Sequence, residues 1–101
     1  MFRHVGLLTF NDEATTNNRD GIAEALRALP GQIPGLQKAE VSIDAGLTEG
    51  NADLMFTMTF DSKASWEAYR THAAHVAVLT DHIKPVLSSK TFVQIDEDFQ
   101  S

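Results

Sequence analysis

The stretch LMFTMTF, residues 54–60, alternates between two kinds of position. One face is wholly apolar and carries Leu54, Phe56, Met58 and Phe60, while the other carries Met55, Thr57 and Thr59. A period of two predicts a β-strand whose apolar face lies on a core. The stretch LQKAEVSIDAG before it alternates in a similar way, and the polar run LTEGNAD connects the two. These residues therefore predict two consecutive strands.

Two further strands are predicted near the ends of the chain. In FRHVGLLTF, residues 2–10, one face carries Phe2, His4, Leu8 and Phe10. Val5 and Leu7 lie on its other face, so both faces contain apolar residues. Near the C-terminus, KTFVQIDEDF places Thr91, Val93 and Ile95 on one face of a last strand, followed by an acidic tail. Both patterns have the period of a strand.

Helices are predicted between these strands. From Thr16 to Leu29 the apolar residues recur at helical spacing, and Pro30 with the glycine after it ends the segment. A second helical pattern begins at Asp61 or Ser62 and continues until Pro85. The order is β-α-β-β-α-β. It predicts an α+β protein of the ferredoxin-like kind, with a four-stranded antiparallel sheet and helices on one face.

The composition bounds the class of protein. A chain of 101 residues with 43% hydrophobic content predicts a single domain, residues 1–101. Its 14 acidic and 8 basic residues, without basic clusters, argue against nucleic acid and anionic membranes as partners. The lack of cysteine excludes thiol chemistry and is consistent with a cytoplasmic location. Neither a signal peptide nor a membrane span is predicted, because the apolar runs are short.

The second face of the predicted sheet has no helix to cover it. It would leave Val5, Leu7 and Met55 exposed, and an exposed apolar patch on a sheet commonly marks an interface. Face-to-face packing of two copies would bury both sheets in a symmetric, barrel-like core. The sequence therefore predicts a homodimer that forms an α+β barrel.

Three of the four histidines lie in EAYRTHAAHVAVLTDHIKPVL, residues 67–87. In an unbroken helix, His72 lies in the middle of an apolar stripe that is formed by Val76, Leu79 and Ile83. His75 lies on the flank of this stripe, about 120° from Tyr69 around the helix axis. Tyr69 and His75 then meet in one pocket only from its two sides, or if the helix bends between them. His82 is expected to be solvated near the helix end.

The histidines leave three interpretations open. A histidine on an apolar helix face is usually a core residue with one satisfied hydrogen bond. A metal site would need His72, His75 and a third ligand such as His4, but no carboxylate lies one turn away, and no metal is predicted. In a catalytic site, His4, Tyr69 and His75 would suffice for deprotonation next to a carbonyl without a cofactor. The walls for a hydrophobic ligand would then come from Phe2, Leu8, Phe56, Trp66, His72 and Leu79.

Several stretches, FRHVGLLTF, MTFDSKASWEAY, YRTHAAHV and IKPVLSS, together resemble the stress-responsive A/B barrel, or Dabb, domain. The resemblance spans essentially the whole chain and implies a dimeric α+β barrel. Family members include plant polyketide cyclases, in which a first-strand histidine, a tyrosine and the second histidine of Y-x-x-H-P-x-H line the active pocket. The resemblance thus implies His4, Tyr69 and His75 as catalytic residues and a more structural role for His72.

Ala73 departs from this motif, because the family usually has proline there. Proline would bend the helix, so its absence predicts a helix that runs on and leaves His75 at the edge of the apolar stripe. The favoured function is cofactor-free acid-base chemistry, of a cyclase or aldol type, on a hydrophobic carbonyl-bearing small molecule. One alternative is a non-enzymatic stress-response or binding module with a filled interior, lacking a cavity of roughly 300 Å3 or more. A weaker alternative is a cofactor-free monooxygenase.

Overall fold

The computed structural model describes residues 1–97, which form one four-stranded antiparallel sheet with helices on one face. The strands, in spatial order β2-β3-β1-β4, are β1 (Phe2–Phe10), β2 (Leu36–Ile43), β3 (Leu54–Phe60) and β4 (Leu87–Asp96). This confirms the predicted ferredoxin-like α+β fold. Residues 98–99 of the last predicted strand, and the tail after it, lie outside the described residues.

The core lies between the sheet and the helices. Along β1 burial alternates as the sequence predicts, with Phe2, His4, Leu8 and Phe10 buried. The apolar face of β3 is buried beside it, because the antiparallel register places His4 opposite Met58 and Phe2 opposite Phe60. Each large apolar side chain removed from water in this way contributes about 1.5–3 kcal/mol. The two central strands, β1 and β3, therefore supply much of the core on this face of the sheet.

The first helix, α1 (Thr16–Arg27), begins with a capping box. The Thr15 side chain accepts from the backbone of Asn18, and the Asn18 side chain accepts from the backbone of Thr15. These two bonds satisfy N–H groups that have no partner inside the helix. At the other end of α1, the guanidinium of Arg27 donates to the carbonyl of Val41 at 2.8 Å, which attaches the helix to β2.

The second helical segment is broken, contrary to the prediction of a continuous helix through Ala73. It comprises α2 (Lys63–Tyr69), α3 (Ala73–Val78), a π-helical turn (Leu79–Ile83) and a 3-10 turn (Lys84–Val86). Ser62 caps α2, as one of the two predicted caps. The break lies at His72, whose backbone is extended (φ −66°, ψ 136°).

The His72 side chain explains the break. Its Nδ1 atom accepts from the backbone N–H of Ala74 at 3.1 Å and so caps α3. A side chain that bonds to the backbone in this way competes with the helical hydrogen bonds. The break also shifts the helical phase: Val78 is buried and Val76 is exposed, so the predicted stripe through His72 and Val76 is wrong. His72 is half-buried at the helix start.

The other face of the sheet is uncovered in a single chain. Four of its apolar side chains, those of Leu7, Met55, Val93 and Ile95, are between 40% and 54% exposed, and Val5 is half-buried. Ion pairs lie on this face as well, between Arg3 and Glu97 and between Lys38 and Glu40. The face thus has an apolar centre with charged residues around it.

Candidate active site

A cavity of about 560 Å3 lies between the helix-bearing face of the sheet and the broken helical segment. Cavities of about 300–1,000 Å3 accommodate small organic ligands. Its sheet wall is formed by His4, Leu8, Phe56, Phe92 and Gln94. Its helical wall is formed by Trp66, Tyr69, His75, Leu79 and Ile83. The prediction of a filled interior, which was made for a non-enzymatic module, is therefore wrong.

The three residues expected to be catalytic, His4, Tyr69 and His75, all line this cavity. Of the expected wall residues, Leu8, Phe56, Trp66 and Leu79 line it as well. Phe2 and His72 are not among the lining residues. Phe2 lies behind Trp66, with 5.0 Å between the ring centroids, and His72 is engaged as the cap of α3.

Tyr69 and His75 lie in direct contact because the helix is broken between them. Their rings stack with 3.9 Å between centroids and 25° between planes, whereas an unbroken helix would hold them about 120° apart. The edge of Tyr69 also packs against Phe60, and only 2% of the residue is exposed. This burial raises the pKa of the Tyr69 hydroxyl well above its usual range. The hydroxyl therefore stays protonated and can donate a hydrogen bond at neutral pH.

His75 is held in one tautomer by a backbone contact. Its Nδ1 lies 3.4 Å from the carbonyl oxygen of Arg70. Because a carbonyl can only accept, this contact requires the hydrogen on Nδ1 and leaves the lone pair on Nε2. Burial lowers the pKa of His75 below its ordinary value of 6.5; the nearby His72 adds to this, and the backbone contacts oppose it. At neutral pH the ring is therefore mainly uncharged, with Nε2 free to accept a proton.

His4 is held in the opposite wall by β4. The side-chain Nε2 of Gln94 donates to Nδ1 of His4 at 2.9 Å, and with the amide in this orientation the neutral ring carries its hydrogen on Nε2. His4 is 7% exposed and packs among Phe56, Trp66, Tyr69 and Phe92. Burial, with smaller contributions from His75 and Arg70, lowers its pKa to about 4. At neutral pH, His4 is thus uncharged and can donate a hydrogen bond through Nε2.

Gly6 and Gln94 also contribute to this site, and neither was predicted from the sequence. A Cβ atom at Gly6 would collide with the rings of Phe56 and Phe92. The glycine therefore lets both rings lie across β1 and form the cavity floor, a common reason for glycine inside a strand. Gln94 lies opposite His4 in the β1–β4 register. Pairing the first and last predicted strands in this register would therefore have identified Gln94 as a neighbour of His4.

Trp66 connects the cavity to a charged side chain. The guanidinium carbon of Arg70 lies 5.4 Å from the centre of the Trp66 ring, within the range of a cation–π contact. The buried indole N–H of Trp66 has no hydrogen-bond partner within residues 1–97. Arg70, Lys84 and Lys90 also line the cavity, and they were not expected there.

Among residues 1–97, no three histidine or carboxylate side chains come together in a way that could hold a metal ion. In the same range, no helix has the length and apolar character needed to cross a membrane.

The fold and the cavity define a small ferredoxin-like α+β protein that encloses a ligand-sized site with aromatic walls. The chain belongs to the stress-responsive A/B barrel domain (Dabb) family, whose sequence profile matches residues 2–97. This confirms the resemblance found in the sequence. No curated protein matches the chain in sequence.

Solved structures give the same fold. The chain is similar to a dimeric ferredoxin-like protein of unknown function from Thermobifida fusca, with 33% identity, a TM-score of 0.82, and coverage of 93% of this chain and 88% of that one. It is also similar to a Dabb family protein from Mesorhizobium loti (18% identity, TM-score 0.76, 94% of each chain). A hydroxynitrile lyase from Passiflora edulis is similar as well (15% identity, TM-score 0.79, 98% of this chain and 96% of that one). The last two likenesses concern the fold alone.

Proposed function

We propose that this protein catalyses cofactor-free acid-base chemistry on a hydrophobic, carbonyl-bearing small molecule. The observation that carries the proposal is the stacked pair of Tyr69 and His75 in one cavity with His4. Their pKa values are shifted in the directions that this chemistry needs: the imidazoles are uncharged and the phenol is protonated at neutral pH. Perturbed groups that converge on one cavity are typical of active sites.

The chemical step can be written with these groups alone. Nε2 of His75 removes a proton from the carbon next to a substrate carbonyl, and the electron pair of the C–H bond moves onto the carbonyl oxygen. The Tyr69 hydroxyl and the Nε2–H of His4 are the available donors for this oxyanion. In an aldol-type cyclisation, the enolate carbon then bonds to a second carbonyl carbon of the same molecule. The resulting alkoxide takes the proton back from His75.

The test is exchange of α-protons with D2O in aryl methyl ketones such as acetophenone and 4-acetylbenzoate, followed by proton NMR. We expect His75→Ala to lower the catalysed rate by about 10²–10⁴, because a general base contributes that much. His82→Ala is the matched control, since His82 is exposed and does not line the cavity. Exchange at the wild-type rate in His75→Ala would remove His75 from the mechanism.

A binding role without turnover is the second candidate, because the same cavity would accommodate a ligand that is only carried. It predicts that ligands alter the fluorescence of Trp66 but that no ketone in the series exchanges faster than in buffer. A monooxygenase would instead consume dioxygen with quinol-type substrates, a reaction that an oxygen electrode detects and that α-proton exchange does not require.

The proposed assembly is a homodimer through the uncovered face of the sheet. The exposed apolar centre around Leu7, Met55 and Val93 supports it, as does the description of the similar Thermobifida fusca protein as dimeric. Sedimentation should give a dimer for the wild type and a monomer for Val93→Lys. Leu47→Lys is the control, because Leu47 is exposed outside the sheet. A dimeric Val93→Lys variant would assign the interface to another surface.

A further inference from the structure

The charges that line the cavity differ in sign from those of the chain as a whole. The protein has 14 acidic and 8 basic residues, but among residues 1–97 the lining contains three cations, Arg70, Lys84 and Lys90, and no carboxylate. These cations come from three separate elements: Arg70 follows α2, Lys84 begins the 3-10 turn, and Lys90 lies in β4. In a chain of net charge −6, the described lining residues with a formal charge are thus all positive.

Within residues 1–97, none of the three cations forms an ion pair with a carboxylate. The ion pairs Arg3–Glu97, Lys38–Glu40 and Lys63–Glu67 do not involve these cations. Arg70 and Lys90 contact aromatic faces instead, at 5.4 Å from Trp66 and 5.5 Å from Phe92. The charge of Arg70 also acts inside the cavity, because it contributes to the lowered pKa of His4. An anion that enters the cavity would therefore meet cations that form no ion pair with another carboxylate of residues 1–97.

We infer that the ligand of this cavity is an amphipathic anion, with a carboxylate at one end and an apolar body. Arg70, Lys84 and Lys90 attract the carboxylate, while Leu8, Phe56 and Leu79 contact the apolar body. The inference rests on the proposed function, since it assigns the class of substrate to the same cavity. It goes beyond that proposal because the acid-base step itself requires no charge on the substrate.

Trp66 allows this inference to be tested directly, because it is the only tryptophan of the chain and it lines the cavity. Its fluorescence is followed while the full-length protein is titrated with 4-propylbenzoate or with 4-propylbenzamide, which has the same shape without the charge. A second pair, octanoate and octanamide, changes the apolar body. We expect each acid to bind at least about tenfold more tightly than its amide at low salt. Added salt should reduce this ratio.

Variants then locate the charge recognition. Arg70→Gln, Lys84→Gln and Lys90→Gln should each weaken binding of the acids by roughly threefold or more and leave binding of the amides unchanged. Lys63→Gln is the matched control, because it removes one positive charge from an exposed ion pair outside the cavity. It should change neither affinity. Urea midpoints show that each variant is folded.

The inference is overturned if acid and amide bind equally in both pairs, or if neither acid changes the fluorescence up to roughly 10 mM. It is also overturned if Lys63→Gln has the same effect as the three lining variants. These outcomes separate it from the proposed function. Charge selectivity without ketone exchange would reject the acid-base proposal alone, and exchange without charge selectivity would reject the amphipathic anion alone.

Discussion

The two walls of the cavity are held in place by different interactions. The sheet wall is held by the β1–β3 and β1–β4 ladders, and its polar group, His4, is buried with a defined partner in Gln94. The helical wall depends on a break of three residues, Arg70 to His72, between two short helices. On this side His75, the proposed base, is only partly buried and has one long contact of 3.4 Å to a backbone carbonyl.

This difference assigns separate roles to the walls. A ladder fixes every second side chain at once, so groups on the sheet wall are positioned together with the fold itself. The helical wall is positioned locally by the His72 cap and by the stacking of Tyr69 on His75. It follows that changes in the sheet wall should alter stability, whereas changes at the break that keep its backbone should mainly alter the position of His75, the proposed base.

The largest expected effect tests the burial of His4. Its pKa is lowered from 6.5 to about 4, so between these values the unfolded chain binds a proton that the folded chain does not. The stability that neutral His4 contributes is therefore present above pH 6.5 and is lost as the pH falls toward 4. The shift corresponds to about 3 kcal/mol at most. Urea unfolding at several pH values should show a flatter pH dependence for His4→Gln than for the wild type.

The control for this measurement is His82→Gln, because His82 is exposed. Its stability should follow the pH dependence of the wild type. Parallel curves for His4→Gln and the wild type would show that burial in the sheet wall does not keep His4 neutral, and the contrast between the walls would then lose its electrostatic basis.

An intermediate effect on the free energy of unfolding is expected at Gly6, beneath the aromatic rings of the sheet wall. Gly6→Ala should lower the free energy of unfolding by about 1–3 kcal/mol, because its Cβ collides with the rings of Phe56 and Phe92 and the floor is overpacked. The matched control is Gly21→Ala in α1, where a Cβ meets no atom within 4 Å. There the same substitution should stabilise the protein by about 0.5–1 kcal/mol. Equal effects at both positions, measured by chemical unfolding, would contradict a closely packed floor.

The walls also differ in how far the sequence predicts them. The alternation in residues 2–10 and 54–60 is long and unambiguous, so the strands, their buried faces and the position of His4 follow from it. The break at His72 does not follow, because it depends on one side-chain contact to Ala74 that helical periodicity does not encode. The cavity cations were missed for a related reason. Arg70, Lys84 and Lys90 are separated in sequence, and only the fold brings them to one cavity.

A substitution with a small expected effect, Ala73→Pro, distinguishes the break from an ordinary helix. His72 is extended, as a residue before proline prefers, and Ala73 is the first residue of α3, where proline is tolerated because no helical hydrogen bond is lost. Ala73→Pro should therefore stabilise the protein by about 0.4–1 kcal/mol through the entropy of the unfolded chain. In a continuous helix the same change would cost about 3 kcal/mol or more. The sign of the change in unfolding free energy thus reports which backbone is present.

Ala74→Pro completes the comparison one position further on. It removes the N–H that Ala74 donates to Nδ1 of His72 and places the restriction before proline on a helical residue, so it should destabilise the protein by about 1 kcal/mol or more. Opposite signs for the two proline variants would locate the start of α3 to a single residue. If both variants destabilise the protein strongly, the helix continues through His72, and Tyr69 and His75 then lie too far around the helix axis to stack.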